Sequence, residues 1–140
     1  MPVRLGVSYG PVVINQNEDI YIGKPIVDAY LTEGLQNWIG GACHSSCENG
    51  PYFYRTKEWG DVLYYDVPTK KGTTSMFALN WGRAAWKECY SLCNGYWESI
   101  KEPHIQEKYL HSISFLKDTE GIYTANGFEL GITNGSTRTR

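Results

Sequence analysis

Two Cys-x-x-x-Cys pairs, Cys43/Cys47 and Cys89/Cys93, are the residues whose types and spacing most directly suggest chemistry. Together with the three histidines of the chain, they could supply zinc ligands. The second pair falls in a stretch with helical periodicity, where residues four apart share one face, and cysteines placed in this way are commonly small core residues. We therefore favour structural thiols over a metal site, and a disulfide is disfavoured in a cytosolic chain.

Three smaller groups of polar residues also invite a chemical interpretation. His44, beside the first cysteine pair, could serve nucleophilic or metal chemistry, but the spacing places no carboxylate to orient its ring. His104, Glu107 and His111 lie three and four residues apart on a predicted helix and could bind a metal, although a surface histidine pair is the far commoner explanation. The basic turn at 70–72 could meet a phosphate, or it is the charged tip of a hairpin.

The bulk properties of the chain favour a globular, cytoplasmic protein. Its 140 residues fit one domain, and 41% hydrophobic with 20% charged residues is typical of a folded chain. The formal net charge of −2 gives no electrostatic reason to expect nucleic acid or an acidic membrane as partner. No apolar run approaches the roughly 20 residues that span a bilayer, and no signal peptide is recognisable at the start.

The elements that must position these groups begin with short strands. Alternation from Val3 to Tyr9 predicts one strand, Gly10 and Pro11 a bend, and the β-branched run at 12–14 a second strand. A polar turn at 15–19 and a short extended piece at 20–22 follow.

A helix is predicted from residue 24 to about residue 37, with a proline in its first turn, where the missing N–H costs little. Val27, Leu31 and Leu35 fall four apart and predict a ridge that faces the core. Ile26 and Tyr30 lie on the adjoining row. The opposite, polar side of this amphipathic helix is formed by Asp28, Thr32, Glu33 and Gln36.

The rest of the chain alternates strands and helices. Patterns predict a buried strand at 38–43, a short helix within 52–59, a hairpin-like pair at 62–67 and 76–81, and helices at 84–97 and 102–118. This order predicts an α+β domain, with a mixed or antiparallel sheet and helices packed on it. Residues 1–118 are expected to form this single domain, and 119–140 a flexible tail.

Three segments near the start carry a specific pattern: Arg4-Leu5-Gly6-Val7-Ser8-Tyr9-Gly10-Pro11, Asp19-Ile20-Tyr21-Ile22-Gly23 and Ile26-Val27-Asp28-Ala29-Tyr30. Their order resembles the class III nucleotide cyclase homology domain, in which Arg-φ-Gly-φ-x-x-Gly is followed by Asp-x-aromatic-Gly and a helix. The tracts at 36–40 and 65–70 are similar to a bacterial branch of small cyclase-like proteins, some of which resemble the pyrimidine cyclases of anti-phage signalling. The resemblance covers about residues 3–118.

The resemblance implies a partial cyclase-like fold, related to the ferredoxin-like fold, and a head-to-tail dimer with sites at its interface. In the family, two metal ions are held by aspartates on strands that precede the Arg-φ-Gly segment. That segment opens this chain, so no metal residue is assigned, and Mg²⁺ or Mn²⁺ is expected only with upstream aspartates. The helix positions that supply an asparagine and an arginine fall on Val27 and Leu31, which cannot donate a hydrogen bond.

Four further residues match or adjoin the family's nucleotide site. Asp19 and Tyr21 match a position near the base, where a carboxylate would accept from an exocyclic amine; a turn aspartate and a half-buried tyrosine are the structural alternative. Lys24 and Asp28 could contact phosphate or a partner, or lie on a solvated helix face.

Three functions fit these observations. The first is a cyclase-like module that is not competent alone and acts by binding a nucleoside triphosphate or by pairing as a homo- or heterodimer. The second is a divergent UTP or CTP cyclase of bacterial anti-phage signalling, whose metal ligands come from residues without a recognisable pattern or from upstream sequence. The third is a scaffold or interaction domain that kept the fold and a vestigial site.

Overall fold

Six strands and four α-helices build the part of the chain that the computed structural model describes, residues 3–122. The strands are β1 (Arg4–Val7), β2 (Val13–Asn15), β3 (Ile20–Ile22), β4 (Gly40–Cys43), β5 (Val62–Thr69) and β6 (Gly72–Leu79). The helices are α1 (Lys24–Leu35), α2 (Phe53–Glu58), α3 (Trp86–Tyr96) and α4 (Pro103–Asp118), with short 3-10 helices at Ser45–Asn49 and Trp97–Ser99. The predicted α+β class is confirmed. None of these helices is long and apolar enough to cross a bilayer.

The strands form two separate sheets. The larger is mixed, in the order β1-β4-β6-β5, with β1 and β4 parallel and the other neighbours antiparallel. Helix α1 connects the two parallel strands, as such a pair requires. The smaller sheet is the antiparallel hairpin β2–β3, which lies in the chain between β1 and α1.

The hairpin β5–β6 is longer and tighter than predicted. The sequence predicts that the first strand stops before Pro68, but β5 continues through this residue, which pairs with Thr73 of β6. Because β5 is an edge strand, the missing proline N–H removes no ladder hydrogen bond on the outer side. Only Lys70 and Lys71 remain in the turn.

Two helices cover one face of the larger sheet. Phe115 of α4 is fully buried against Trp38 and Tyr65, with ring centroids 4.8 and 5.0 Å away. The same buried cluster includes Ala42, whose strand position pairs with Gly6 of β1. The opposite face carries a second cluster, which packs under α2 and contains Cys43, Cys47, Val62 and Phe77. Helix α3 packs on α4 around Cys93, Ile113 and Leu116.

The predicted boundary of the domain at residue 118 is too early. Thr119 and Ile122 are buried, and the Asn80 amide donates to the Ile122 carbonyl over 3.0 Å. These residues therefore belong to the folded unit. The rest of the predicted tail, 123–140, lies outside the described residues.

Helix α1 is oriented opposite to the prediction. Its apolar ridge faces solvent: Val27 and Leu31 are 55% and 60% exposed, whereas Asp28 and Thr32 of the polar side are buried. The helix backbone lies directly on β1, because a Cβ on Gly6 would come within 1.9 Å of the Ala29 carbonyl oxygen. Such a close approach leaves room for short, hydrogen-bonded side chains and none for a row of leucines.

A buried glutamine explains how α1 tolerates this orientation. Gln36 is fully buried, and its amide nitrogen donates to the Leu5 and Thr32 carbonyls over 2.8 and 2.9 Å. Its amide oxygen accepts from the Trp38 indole over 2.7 Å. Nearby, the Thr32 hydroxyl donates to the Asp28 carbonyl. Because these polar groups have partners, their burial carries no unmatched desolvation cost.

Candidate functional site

The most unusual surface of the molecule lies at its amino-terminal side. Of the twenty large hydrophobic side chains that are exposed within residues 3–122, fourteen fall between residues 3 and 31. They lie on β1, on the hairpin β2–β3, on the outer side of α1, and at Val3, Tyr9 and Val12, which flank these elements; we call this surface the arm face. Single exposed hydrophobic residues are ordinary, but this concentration within one stretch of the chain is unusual, and large exposed apolar patches are typical of interaction sites.

The hairpin β2–β3 contributes to the arm face on both of its sides. Val13 pairs with Ile22, and Ile14 pairs with Tyr21, yet all four side chains are exposed. The hairpin therefore buries little apolar surface of its own, and a two-stranded hairpin is marginally stable without such burial. An unusual backbone geometry at its tip, φ of 51° at Asp19, fits the aspartate to the turn.

The predicted pair Lys24 and Asp28 is brought together at the start of α1. The ammonium lies 2.6 and 2.9 Å from the two carboxylate oxygens. Asp28 is largely buried, while the Lys24 side chain is 78% exposed and reaches back to it. An ion pair so open to water stabilises the fold by less than about 1 kcal/mol. The lysine charge is thus partly neutralised before any ligand arrives.

His44 and Ser46 join this pair at the carboxyl ends of β1 and β4. The His44 Nδ1 lies 3.7 Å from the Asp28 carboxylate and 2.9 Å from the Ser46 hydroxyl. It also accepts a 3.2 Å hydrogen bond from the Ser46 backbone amide. Since an amide N–H can only donate, Nδ1 holds a lone pair and the neutral ring carries its proton on Nε2.

The Ser46–His44–Asp28 arrangement is not a catalytic triad. A triad uses two different imidazole nitrogens, one for the nucleophile's proton and the other for the carboxylate. Here both partners meet Nδ1, and the Ser46 hydroxyl accepts a further bond from the Tyr9 amide. The arrangement instead leaves the His44 Nε2–H on the side of the ring away from Ser46 and Asp28.

The other predicted site residues are not brought into this cluster. Asp19 and Tyr21 lie on the hairpin, and within residues 3–122 no hydrogen bond or ion pair joins them to Lys24 or Asp28. Tyr21 is exposed, where the sequence predicted half-burial as the structural alternative. Val27 and Leu31, which the resemblance aligns with two donor positions, were predicted to face the core and instead belong to the arm face.

The four cysteines are free thiols, three of them buried and Cys89 partly buried. Burial, together with the neighbouring Cys47, raises the pKa of Cys43 to about 12. Burial likewise raises the pKa of Cys47, Cys89 and Cys93. Metal ligation and nucleophilic attack both need the thiolate. The predicted core placement is confirmed for Cys43, Cys47 and Cys93, and within residues 3–122 no three His, Cys, Asp or Glu side chains are grouped to hold a metal.

A separate cleft of about 490 Å³ lies between the hairpin β5–β6 and α4. His111, on its wall, contacts the Asn37 carbonyl through Nδ1 over 2.7 Å, and Glu107 accepts from the Asn37 amide over 3.1 Å. These contacts tie α4 to the end of α1. His111 and Glu107, considered as metal ligands from the sequence, therefore have structural partners here.

The sequence missed the relation of His44 to Asp28, although one signal was available. His44 directly follows β4 and Asp28 lies in α1, so both belong to the β1–α1–β4 unit, in which the carboxyl ends of the parallel strands meet at one edge. Comparison of the chain with protein-family models, with curated proteins and with solved structures finds no match.

Proposed function

We propose that this chain is a cyclase-like pairing module, whose arm face is covered by a second protein chain in a homo- or heterodimer. The observation that carries the proposal is the orientation of α1, which buries its polar side and presents Val27, Tyr30 and Leu31 to water. Each of these side chains would gain about 25 cal/mol for every Å² of apolar surface removed from water. Pairing with a second chain would remove the outward apolar side of α1 from water.

The resemblance to class III cyclases supports the same conclusion from the sequence. In that family the sites form at a head-to-tail dimer interface, and the resemblance aligns Val27 and Leu31 with two donor positions of those sites. Hydrophobic residues at the two donor positions cannot stabilise a phosphate, but they suit a buried contact between chains. We therefore propose that the positions which serve catalysis in the family serve association in this chain.

Nucleotide binding is a second candidate, favoured by one observation. The Lys24 ammonium lies 2.6 Å and the His44 Nδ1 3.7 Å from the Asp28 carboxylate, beside the start of α1 and the carboxyl ends of two parallel strands. Binding of UTP or CTP, measured by titration calorimetry with and without Mg²⁺, would support this candidate if Lys24→Ala weakened it about tenfold or more. Formation of a cyclic product would support the pyrimidine cyclase form, which needs donors from another chain.

The pairing proposal is tested by placing charges on the outer side of α1. The double variant Val27→Glu with Leu31→Lys keeps helix propensity and adds a favourable i, i+4 pair, so the chain should still fold. Sedimentation equilibrium should show a dimer for the wild type and a monomer for the variant. Loss of two central apolar contacts should weaken association by about a hundredfold or more.

The matched control carries the same charges at exposed leucines outside the arm face. Leu92 and Leu110, on α3 and α4, are 57% and 43% exposed. Leu92→Glu with Leu110→Lys should leave the dimer unchanged. A wild-type monomer that binds a hydrophobic dye at the arm face indicates a heterodimer. A monomer that binds no dye shows that the surface is already covered, and the proposal is then wrong.

A further inference from the structure

One edge of the larger sheet is open along β1. Strand β1 is terminal in the sheet order and pairs only with β4 within residues 3–122. The Gly40 and His44 amides donate to the Val3 and Val7 carbonyls over 3.2 and 2.7 Å, so the odd-numbered residues direct their backbone groups toward β4. Because these directions alternate along a strand, the N–H and C=O groups of Arg4 and Gly6 face the open edge.

The open edge is bordered by uncovered apolar side chains on both faces of the sheet. On the face opposite α1, Leu5 and Val7 are 51% and 38% exposed. On the other face, α1 lies over β1, and its exposed Ile26 and Tyr30 follow the same side of the helix as Glu33, which reaches Arg4 of β1 over 2.8 Å. A strand added at this edge would therefore meet apolar surface above and below.

The other edge of the sheet, along β5, carries the features that discourage strand addition. It contains Pro68, which has no N–H to offer, and the exposed, charged Asp66. Natural sheets use proline and charge in this way to prevent edge-to-edge pairing. On β1 the only charged residue is Arg4, and its guanidinium is held on the α1 side by Glu33 and the Gln36 carbonyl.

We infer that a second copy of this chain adds its β1 antiparallel to β1, which joins the two four-stranded sheets into one. This inference rests on the proposed pairing function and names its partner and geometry. A second copy fits because the edge is self-complementary: it offers unpaired donors and acceptors alternately, with Leu5 and Val7 on one side and α1 on the other. A two-fold axis matches each of these surfaces with itself.

The backbone directions select the register. Residues whose groups face the edge must lie opposite one another, which pairs even-numbered positions with even-numbered ones. Gly6 opposite Gly6 of the second copy pairs Arg4 with Ser8 and gives the longest ladder. This register places Leu5 against Val7 on the outer face and keeps the two arginines apart. It also sets the two α1 helices on the same face of the joined sheet, one on each side of the two-fold axis.

Amide hydrogen exchange, followed by NMR at high and low protein concentration, tests the inference. In the dimer the Gly6 amide should exchange at least about tenfold more slowly than in the diluted monomer. The Leu5 amide, which points to β4, is the internal control and should be protected at both concentrations. Leu5→Lys places a charge at the edge and should abolish the dimer, whereas Asp66→Lys on the opposite edge strand should not.

The outcomes separate this inference from the function on which it rests. A dimer whose Gly6 amide exchanges equally fast at all concentrations would overturn the edge geometry and leave pairing through the rest of the arm face intact. A wild-type monomer would show that the partner is not a second copy of this chain. Dye binding at the arm face of that monomer would then support pairing with a different protein, and absence of dye binding would contradict the pairing function.

Discussion

Helices α1 and α4 lie on the same face of one sheet but are oriented in opposite ways. Helix α4 buries Ile113, Phe115 and Leu116 and leaves charged residues such as Lys117 in water. Helix α1 buries Asp28 and Thr32 and leaves Val27 and Leu31 in water. The difference is that α4 packs its apolar side into the core of this chain, whereas α1 contacts β1 through hydrogen bonds and leaves its apolar side exposed to solvent.

The two helices therefore contribute to the stability of the fold in different ways. Burial of aromatic rings under α4 is favourable in the isolated chain. The buried amide and hydroxyl groups under α1 contribute less, because each replaces a hydrogen bond to water, but leaving one of them unpaired is costly. The isolated chain should therefore depend on apolar volume at α4 and on hydrogen-bond partners at α1.

The largest expected effect is at Phe115, which is fully buried and packs against Trp38, Tyr65 and Trp81. Phe115→Ala should lower the free energy of unfolding by about 3–5 kcal/mol, through lost burial and the cavity left behind. Urea unfolding followed by circular dichroism measures this change. Leu110→Ala, at an exposed position of the same helix, should cost less than about 1 kcal/mol; equal losses would contradict the assignment of the core to α4.

The next effect concerns the hydrogen bonds under α1. Gln36→Leu keeps the side-chain volume but removes the acceptor of the Trp38 indole and one donor to the Leu5 carbonyl. We expect a loss of about 1–3 kcal/mol in the same unfolding experiment, because the indole N–H stays buried without a partner. Gln36→Glu keeps the oxygen that accepts from the indole but removes the amide donor, so comparing the two variants separates the effect of the acceptor from that of the donor. A more stable Gln36→Leu variant would show that α1 does not depend on these bonds.

These two helices also show what the sequence could and could not predict. Periodicity located both helices to within about two residues, and the helical spacing of Ile113 and Leu116 predicts that they share one apolar face of α4, where both are buried. The same rule placed Val27 and Leu31 inward and was wrong. Periodicity identifies two faces, but it assumes that the apolar one meets the chain's own core. Gly6, which brings the α1 backbone onto β1, was the local sign that large side chains could not fit there.

The candidate site was predictable only in part, for a related reason. Lys24 and Asp28 lie one helical turn apart, so their pairing follows from local spacing. The approach of His44 to Asp28 depends on the parallel register of β1 and β4, which no local pattern contains. The exposure of Tyr21 likewise depends on how the hairpin packs, and the open edge of β1 depends on the order of the strands.

A third test examines the far side of the two strands that α1 covers, where Cys43 is buried. Its pKa is raised from 9.0 to about 12 in the folded chain. Between pH 9.0 and about 12, Cys43 is deprotonated in the unfolded chain but keeps its proton in the folded chain. The free energy of unfolding should therefore fall as the pH rises through this range. The slope contributed by Cys43 should reach about 1.4 kcal/mol per pH unit. Cys43→Ala should flatten the alkaline side of the profile; an unchanged profile would show that this face is open to water.

The smallest expected effect is the most informative about α1. Polar replacements that keep the size of its exposed side chains, Val27→Thr and Leu31→Gln, should change the free energy of unfolding of the diluted monomer by less than about 0.5 kcal/mol, because water already contacts both positions. The same substitutions at inward positions of α4, Ile113→Thr and Leu116→Gln, should cost several-fold more. At high protein concentration the α1 variants should lose the stabilisation that pairing gives the wild type, since association with the native state raises apparent stability. A variant pair that destabilises the monomer as strongly as the α4 pair would mean that the outer side of α1 is packed within its own chain.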